Sequence, residues 1–462
     1  MNRKSKSLKR GAVPRGIAAS LAGIRAGGAL AVDGAVQKVL GRGGDRGKDS
    51  KFARREARRL VRELGRLKGT YVKIGQMFAL LGEHFLPPVL TEAMHELGGQ
   101  TDPLPWKDIE PAIAEQLGEK MSELDIEQEA FAAASLAQVH RATIRATGER
   151  ICLKVQYPGL ADVIDSDFDA VVTMLKLARW LPAGRDFDDW LASMRVYLHH
   201  EIDYHREAAF ARAMAEHVAE LEEAERYHVP RLYEEYCTGE LLALEYVVGK
   251  QVNEPAIGRL SLQRRNALAI AMLDLFFLEL YDWGMLQSDP NFGNYLVDTK
   301  TEPDALVLLD FGSILDCEED FLYHLRRVIA AGMEEDEEGI VEGLIGLECL
   351  QPDASEAGRA MFADFCLHLL EPLRPPERLP QDKLNRRGQY RWAQSRLMQR
   401  AGKMAVASTT SRHFTTPSRD FALIARKLTG VFTFISVLGA EFNGHDIVAR
   451  RIEAWREREV HG

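Results

Sequence analysis

Residues 287–294 read Gln-Ser-Asp-Pro-Asn-Phe-Gly-Asn, and the apolar run Leu306-Val-Leu-Leu309 leads on into Asp310-Phe-Gly312. This stretch decides the fold, because it places a carboxylate, a carboxamide five residues later and a second carboxylate beside short β-prone segments. Each tripeptide alone is also a common turn, since Asp, Asn, Pro and Gly are favoured turn residues. Their order together indicates a site where oxygen ligands gather around a phosphate-bound cation.

The three polar residues of this stretch suit three different tasks in phosphoryl transfer. Asp289 would orient or deprotonate an acceptor hydroxyl or a water molecule. Asn294 and Asp310 would hold the Mg²⁺ ions that bridge the phosphates of ATP or ADP. The apolar residues before Asp310 predict a buried strand that presents this carboxylate at its tip.

A lysine upstream lies in a β-prone apolar segment. Glu149-Arg-Ile-Cys-Leu-Lys154 has the pattern of a strand whose lysine pairs with nucleotide phosphates and with a glutamate on a helix. The alternative is a solvated lysine on an edge strand. The segment that precedes it, Phe131 to Ala142, favours the first interpretation, because it predicts two strands joined by a tight connection.

That connection is rich in alanine where nucleotide-covering loops commonly carry glycine. We predict that it covers the phosphates with Ala132, Ala133, Ala134 and Ser135. An alanine loop is stiffer than a glycine loop and approaches phosphates less closely. We therefore expect a different nucleotide pose or preference from that of a glycine-rich loop.

Four motifs now give the chain a recognisable likeness. They are Lys73-Ile-Gly75-Gln76, the alanine-rich run from Ala132 to Ala137, Glu201-Ile-Asp203, and Gln287 where protein kinases have a histidine. With them the chain resembles the UbiB (AarF) family of atypical kinases from about Pro14 to about Leu438. The combination is specific to that family.

The resemblance implies a fold, an activity and partners. The fold is α+β, a two-lobed protein-kinase-like fold with a mostly helical N-terminal extension and family-specific helical insertions. The implied activity is magnesium-dependent binding of ATP or ADP, with ATP hydrolysis favoured over protein phosphorylation. The implied role supports ubiquinone biosynthesis at a membrane, with prenyl-lipid or quinone intermediates and quinone-biosynthesis proteins as partners.

The resemblance also assigns roles to single residues. Lys154 corresponds to the phosphate-pairing lysine and Glu207 to its helix partner. Asp203 is four residues from Glu207, so the two share a face if both are helical. Lys73 and Gln76 belong to a regulatory helix that closes over the site, and Glu201 or Asp203 is the expected ion-pair partner of Lys73. Residues 158–200 are interpreted as a mostly helical insertion.

The Lys-x-Gly-Gln motif lies in a long amphipathic segment. Apolar residues recur at helical spacing from Ala53 to Leu81, and arginines crowd the other face. This could be the solvated basic face of an ordinary docked helix. Glycines at 65, 69 and 75 argue for close backbone approach instead, since interior glycine weakens a helix by about 1 kcal/mol relative to alanine. We predict a helix packed across the nucleotide cleft, where it would exclude a protein substrate.

A β-prone run at Leu241 to Val247 resembles the hinge strand of a kinase. Glu245 and Val247 are predicted to contact adenine through their backbone, although the run is also an ordinary core strand. The domain boundaries follow. We expect a basic extension at 1–50, a helical extension with the Lys-x-Gly-Gln motif at 51–127, an N-lobe with a helical insert at 128–239, and the hinge with a helical C-lobe at 240–462.

Charge is distributed unevenly along the chain. The net charge is −10, yet residues 1–68 carry 19 Lys and Arg against 5 Asp and Glu, which leaves −24 for the remainder. Such a basic segment suits an anionic membrane surface or packing on the acidic body. Nucleic acid is not expected, because residues 1–51 contain no aromatic side chain for stacking.

The sequence predicts no transmembrane segment. The apolar stretches at 17–32 and 421–440 are interrupted by charges, among them Arg25, Arg426 and Lys427. Five cysteines with no Cys-x-x-Cys pair indicate a reducing compartment. We expect a cytoplasmic protein that attaches peripherally to a membrane.

Two functions of different classes fit these observations. The first is an enzyme, a magnesium-dependent ATPase or small-molecule kinase of the UbiB type. The second is a nucleotide-gated protein that binds a prenyl lipid or serves as a scaffold, with little turnover. The presence of Lys154, Asp289, Asn294 and Asp310 favours the enzyme, because a scaffold needs neither a base nor two metal ligands.

Overall fold

The computed structural model of the protein describes residues 69–81, 103–177, 185–409 and 419–461, with isolated positions between 55 and 94. The chain divides into two compact units. Unit 1 takes the chain up to Ala208 together with Arg231–Tyr246, and unit 2 takes Ala209–Pro230 together with the chain from Val247 onward. Helices and mainly antiparallel strands occur together, which confirms the predicted α+β class.

The described helices and strands alternate early in the chain and become mostly helical later. The helices are α1 Thr70–Leu81, α2 Trp106–Leu117, α3 Leu160–Leu177, α4 Arg185–His200, α5 Tyr204–Ala219, α6 Pro255–Gly258, α7 Leu262–Leu278, α8 Glu319–Glu334, α9 Glu337–Gly346, α10 Glu356–Leu369, α11 Leu397–Thr409, α12 Arg419–Val437 and α13 His445–His461. The strands are β1 Leu124–Ile126, β2 Ala132–Ala133, β3 Ala137–Ile144, β4 Arg150–Gln156, β5 Tyr227–His228, β6 Leu241–Glu245, β7 Met285–Gln287, β8 Tyr295–Asp298, β9 Ala305–Leu308 and β10 Ile314–Asp316.

Unit 1 is built on an antiparallel sheet of five strands. The order is β1-β3-β4-β6, and β2 pairs with β3. Side chains alternate between the two faces of a strand, so β4 buries Ile151, Leu153 and Val155 on one face and places Cys152 and Lys154 on the other. Helix α2 covers the buried face, and its own buried residues, Ile109, Ile113 and Leu117, recur at helical spacing.

Unit 2 combines two small sheets with a largely helical body. Strands β5, β9 and β8 form one sheet in that order, and β10 pairs with β7 in the other. Helix α7 is apolar on most of its surface and is correspondingly buried. It continues as a π-helical turn, Glu279–Trp283, and ends at Gly284, whose φ of 66° requires the left-handed conformation that glycine adopts without strain.

The structure bears on three predictions for the N-terminal half of the chain. The helix predicted from Ala53 to Leu81 is not continuous, because Gly69 has a φ of 62° and α1 begins only at Thr70. A left-handed residue cannot continue a right-handed helix. The insertion predicted as mostly helical does contain α3 and α4. The predicted basic extension at 1–50 lies outside the described residues.

Length and polarity of the helices bear on the membrane prediction. Among the described helices, none is both long and apolar enough to cross a bilayer.

Candidate functional site

In unit 2, pairing between strands brings the predicted metal ligands together. Strands β8 and β9 pair with Tyr295 opposite Leu308, and beyond them the Leu309 amide donates to the Asn294 carbonyl at 3.0 Å. Asp310 therefore follows directly on the residue paired with Asn294. Its Oδ1 accepts a hydrogen bond from the Gly312 amide at 3.1 Å, which fixes the carboxylate at the end of the strand.

A second set of hydrogen bonds ties the Asp289 loop to the segment after Gly312. Strands β7 and β10 pair Gln287 with Ile314. The backbone amide and the hydroxyl of buried Ser288 both donate to the Ser313 carbonyl, at 3.0 and 2.7 Å. Two separate loops thus share one anchor, which lies next to Asp289 in the first loop and three residues after Asp310 in the second.

The carboxylate of Asp289 is held from two sides. Asn294 Nδ2 donates to Oδ2 at 3.1 Å and also to the Asp289 carbonyl at 3.1 Å. Arg426 Nη2 donates to Oδ1 at 3.2 Å. Because the side-chain NH2 group of Asn294 donates to Asp289, the side-chain carbonyl oxygen of Asn294 is the atom suited to bind a cation.

Helix α12 packs directly against the Asp289 loop. A Cβ added at Gly430 would lie 2.0 Å from Cβ of Pro290, so only glycine permits this approach. One turn further along, the ring of Phe434 contacts Phe292 and Tyr295 edge to face, with centroids 6.0 and 6.2 Å apart. The helix therefore supports the loop over several residues.

A buried charged cluster lies below the loop. Lys427 on α12 and Glu279 in the π-helical turn are each 1% exposed, with Nζ and Oε2 3.6 Å apart. Lys427 also donates to the Tyr295 hydroxyl and, at 3.5 Å, to Oε1 of Gln287. The Tyr295 hydroxyl donates to the same Gln287 oxygen at 3.2 Å. These hydrogen bonds fix Gln287, the first residue of the 287–294 motif.

Burial shifts the ionisation of this cluster. Desolvation raises the pKa of Glu279 to about 7, against the opposing attraction of Lys427. For Lys427 the attraction of Glu279 and Tyr295 exceeds the effect of burial, which alone would lower its pKa, so its pKa is raised and it stays protonated. Burial likewise raises the pKa of Tyr295 to about 12.

In unit 1, Lys154 forms an ion pair with Glu207. Nζ lies 2.6 Å from Oε1 and 2.9 Å from Oε2, and the side chains are 24% and 4% exposed. Strand β4 presents the lysine, and the first turn of α5 presents the glutamate. The ammonium also lies 5.2 Å from the centroid of the Tyr204 ring. The ion pair expected from the resemblance is present, although 53 residues separate its members.

The Glu-x-Asp segment divides its two carboxylates between different contacts. Glu201 Oε1 lies 2.7 Å from Nζ of Lys73. Asp203 precedes α5, and its Oδ1 accepts a hydrogen bond from the Arg206 amide at 3.0 Å. Asp203 therefore lies at the capping position of α5, where a short carboxylate satisfies a free amide, and its carbonyl accepts the Glu207 amide at 3.1 Å as in a helical turn.

The helix that carries Lys73 packs on the insertion. Phe78 of α1 contacts Phe168 of α3 and Trp190 of α4, with ring centroids 6.2 and 5.5 Å apart. The Thr70 hydroxyl donates to the buried carboxylate of Asp167. Gln76, the other residue of the motif, is half-buried on the same helix. The insertion thus provides the surface on which the motif helix rests.

The alanine-rich run is shorter as a loop than predicted. Ala132 and Ala133 form strand β2, which pairs with Val139 and Gln138. The turn proper begins at Ala134, whose amide donates to the Ala137 carbonyl at 2.8 Å, and Ser135 lies within it. Ala132 and Ala134 are exposed, whereas Ala133 and Ser135 are half-buried.

The predicted hinge residues follow the last strand of the unit 1 sheet. Glu245 ends β6 opposite Ile151, and its amide donates to the Arg231 carbonyl at 2.8 Å. That amide is therefore committed within the sheet. Val247, two residues later, is the first residue of the second segment of unit 2.

Sequence reasoning missed the contribution of α12. Arg426 and Lys427 were interpreted only as charges that prevent a membrane span, and Gly430 and Glu279 were not singled out. The available signal was two adjacent cations in an otherwise apolar helix. Their partners are more than 130 residues away, so the sequence did not show which groups they meet.

The chain is similar to known proteins over much of its length. The domain described as "ABC1 atypical kinase-like domain" matches residues 96–344. "Atypical kinase COQ8, mitochondrial" of Saccharomyces cerevisiae is 29% identical over 320 residues, which cover 68% of this chain and 62% of the yeast protein. "Probable serine/threonine-protein kinase abkA" of Dictyostelium discoideum is 28% identical over 403 residues, covering 85% and 70%. The chain thus spans less than two thirds of the yeast relative.

A solved structure gives a further likeness. Rv3197 from Mycobacterium tuberculosis, solved as a complex with erythromycin, superposes with a TM-score of 0.58 at 22% identity. The match covers 88% of this chain and 96% of that one. At this level of identity the likeness is one of fold.

Replacing Gly430 by alanine should push α12 away from the loop. The new methyl group would overlap Pro290, and overpacking of this kind costs about 1–3 kcal/mol. We expect a lower Tm in thermal denaturation. Gly402→Ala in α11 is the matched control, because no described atom lies within 4 Å of a Cβ there and alanine favours a helix by about 1 kcal/mol. Equal Tm changes in the two variants would contradict the close approach.

The raised pKa of Glu279 predicts a pH-dependent stability. The folded protein keeps a proton on this carboxyl up to about pH 7, whereas the unfolded chain loses it near its ordinary value of 4.5. The stabilisation by this proton is therefore present below pH 4.5 and is lost as the pH rises through 7. Relative to Glu279→Gln, the native sequence should lose up to about 3 kcal/mol over this window.

Urea unfolding of both proteins at pH 5, 6, 7 and 8 measures this difference. The Gln variant removes the titrating group and keeps the volume of the side chain. Parallel stability profiles for the two proteins would show that Glu279 keeps an ordinary pKa.

Proposed function

Because the chain belongs to the ABC1 atypical kinase-like family, we propose that it is an atypical kinase or ATPase that binds ATP with Mg²⁺. It transfers the γ-phosphoryl group to water or to a small acceptor, and it supports ubiquinone biosynthesis at a membrane. The choice of water or a small molecule as the phosphoryl acceptor follows from the UbiB-type motifs. The quinone pathway follows from the resemblance to that family, and the kinase class agrees with the atypical-kinase names of the relatives.

The single observation that carries the proposal is the ion pair of Lys154 with Glu207. A lysine on a central strand is costly to place on a partly buried surface unless a charge compensates it, and here the compensating glutamate comes from a helix 53 residues away. This is the pair that positions the phosphate-binding lysine in kinases. Here Lys154 would bind nucleotide phosphates, and Glu207 would orient it.

The donor set of unit 2 fits magnesium. Mg²⁺ is commonly held by one or two protein oxygens while substrate phosphates and water complete its octahedron. Asn294 and Asp310 would supply such oxygens from positions just beyond the paired strands, Asn294 immediately before β8 and Asp310 two residues after β9. Among the described residues, no three His, Cys, Asp or Glu side chains gather into a cluster that could hold a metal by itself.

Asp289 would serve as the base or the orienting group for the acceptor. Its carboxylate is held by Asn294 and Arg426, so its position is fixed before any substrate arrives. Preorganisation of this kind is the main contribution that a protein makes to phosphoryl transfer. For adenine, the Glu245 carbonyl and the Val247 amide are the proposed backbone contacts, since the Glu245 amide is already used.

The Lys-x-Gly-Gln helix argues for a small acceptor. Lys73 is tied to Glu201, and the apolar face of α1 rests on the insertion helices. We infer that Lys73, Gln76 and Glu201 hold a regulatory helix, and that Asp203 fixes the start of the helix carrying Glu207. A helix held in this way limits access by a folded protein substrate.

The membrane and the partners follow from charge and resemblance. The strongly basic residues 1–68 suit an anionic headgroup surface, where each Lys or Arg contributes about 1 kcal/mol. Prenyl-lipid or quinone intermediates are the proposed small partners, with other quinone-biosynthesis proteins as macromolecular ones. Attachment would be peripheral, from the cytoplasmic side.

The decisive experiment measures phosphate release from ATP by the purified protein with Mg²⁺ and anionic vesicles. Asp310→Asn should lower kcat on the order of 100-fold or more, because it removes a metal ligand that acts in the transition state. Removal of Mg²⁺ by a chelator should abolish turnover. Asp316→Asn, an exposed carboxylate six residues on, is the control and should keep native activity.

The opposite result would favour the binding protein over the enzyme. Absent phosphate release, together with unchanged nucleotide affinity in Asp310→Asn, would overturn the catalytic proposal. A nucleotide-gated prenyl-lipid-binding or scaffold function would then remain.

Replacing Ala132, Ala133 and Ala134 by glycine tests the alanine-rich segment. Glycine loosens the backbone and permits closer approach to phosphates, so we expect a change in affinity or in the preference between ATP and ADP. Titration calorimetry with each nucleotide measures it. Identical affinities before and after the change would show that this segment does not cover the phosphates.

A further inference from the structure

The loop that carries the proposed base has no positive charge of its own. Residues 287–294 contain neither lysine nor arginine. Phosphoryl transfer spreads negative charge over the equatorial oxygens of the moving group, and catalysis depends on fixed positive charge beside them. A cation close to Asp289 must therefore come from another element.

Helix α12 places a guanidinium at this position. Arg426 Nη2 lies 3.2 Å from Oδ1 of Asp289, and the two side chains are 31% and 29% exposed. The guanidinium is thus neither buried nor remote from solvent. Its described hydrogen bond uses a single N–H, and a planar guanidinium carries five in an arrangement that matches phosphate oxygens.

The position of Arg426 is set by its own helix. The next residue, Lys427, is fully buried with Glu279 and Tyr295. Gly430, one turn on, lies against Pro290 of the same loop. Because Lys427 and Gly430, which follow it in the helix, are fixed in this way, Arg426 is held beside Asp289 by packing as well as by charge. An ordinary surface ion pair has no such support.

We propose that Arg426 is a catalytic residue that contacts the transferring phosphoryl group and stabilises its charge in the transition state. This rests on the proposed function. In the step, the bond between the γ-phosphorus and the bridging oxygen breaks, and ADP leaves with the electron pair. A new bond forms between phosphorus and the acceptor oxygen. The proton of the acceptor passes to Asp289, and Arg426 stabilises the charge on the phosphoryl oxygens.

A conservative series at Arg426 tests the proposal against a matched ion pair elsewhere. Arg426→Gln removes the charge, and Arg426→Lys keeps it without the planar donors. Arg327→Gln is the control, because Arg327 forms a comparable partly exposed pair with Glu342 at 2.6 Å. We expect Arg426→Gln to lower kcat for ATP hydrolysis about 100-fold, with little change in affinity for ADP. Arg426→Lys should recover part of the loss, and Arg327→Gln should match the native protein.

A transition-state mimic separates direct contact from positioning. Affinity for ADP with Mg²⁺ and aluminium fluoride is compared with affinity for ADP and Mg²⁺ in native protein, Asp289→Asn, Arg426→Gln and the double variant. If Arg426 contacts the phosphoryl group, Arg426→Gln should weaken binding of the mimic at least about tenfold even when Asp289 is already replaced. If the double variant equals Asp289→Asn, Arg426 acts only through Asp289 and the proposal is overturned.

The same measurements separate this proposal from the function on which it rests. If native protein neither hydrolyses ATP nor binds ADP, the proposed function fails and the role of Arg426 fails with it. If Asp310→Asn abolishes hydrolysis while Arg426→Gln behaves like Arg327→Gln, the function stands and only the assignment of Arg426 falls. Thermal denaturation of each variant shows whether any loss reflects unfolding.

Discussion

The buried contact between Lys427 and Glu279 is the constraint on which unit 2 depends. Both side chains are 1% exposed, so the ammonium of Lys427 is costly to desolvate, and removing Glu279 would leave it without its carboxyl partner. Tyr295 and Gln287 complete the cluster, so the same hydrogen bonds that satisfy the lysine also fix the residue before Ser288 and Asp289. The position of the Asp289 loop is therefore determined by a polar cluster inside the core and not by the loop itself. Such clusters favour one arrangement over its alternatives, because a shifted helix would leave a charge without a partner.

Unit 1 uses charge in a different way. Lys154 and Lys73 are each partly exposed, and each is paired with one glutamate, Glu207 or Glu201. The glutamates lie on the two sides of Asp203, the residue that caps α5, so one short segment positions both lysines. Partly solvated lysines can exchange a glutamate for a phosphate at modest cost, whereas the fully buried Lys427 cannot. The pairs of Lys154 and Lys73 therefore suit ligand binding, whereas the buried contact of Lys427 suits a structural role.

Much of the fold followed from local pattern. The kinase-like family is confirmed, and so is the α+β class. The strand before Asp310 and the strand carrying Lys154 lie where apolar runs predicted them, because burial imposes a pattern that the sequence displays. The errors fall where one residue changes the local conformation. Gly69 interrupts a helix that the periodicity predicted to be continuous, and Ala132 and Ala133 pair as a strand where a loop was predicted.

The sequence by itself determined which chemical groups are present and in what order, since the Lys154, Asp289, Asn294 and Asp310 motifs are local and their spacing is visible. The tertiary structure alone decided which distant groups meet. It selected Glu201 over Asp203 for Lys73, placed Arg426 against Asp289, and used Gly430 to let α12 approach Pro290. The physical reason is that periodicity records only whether a side chain faces the core. The identity of the partner depends on packing between elements more than 100 residues apart, and no local pattern encodes it.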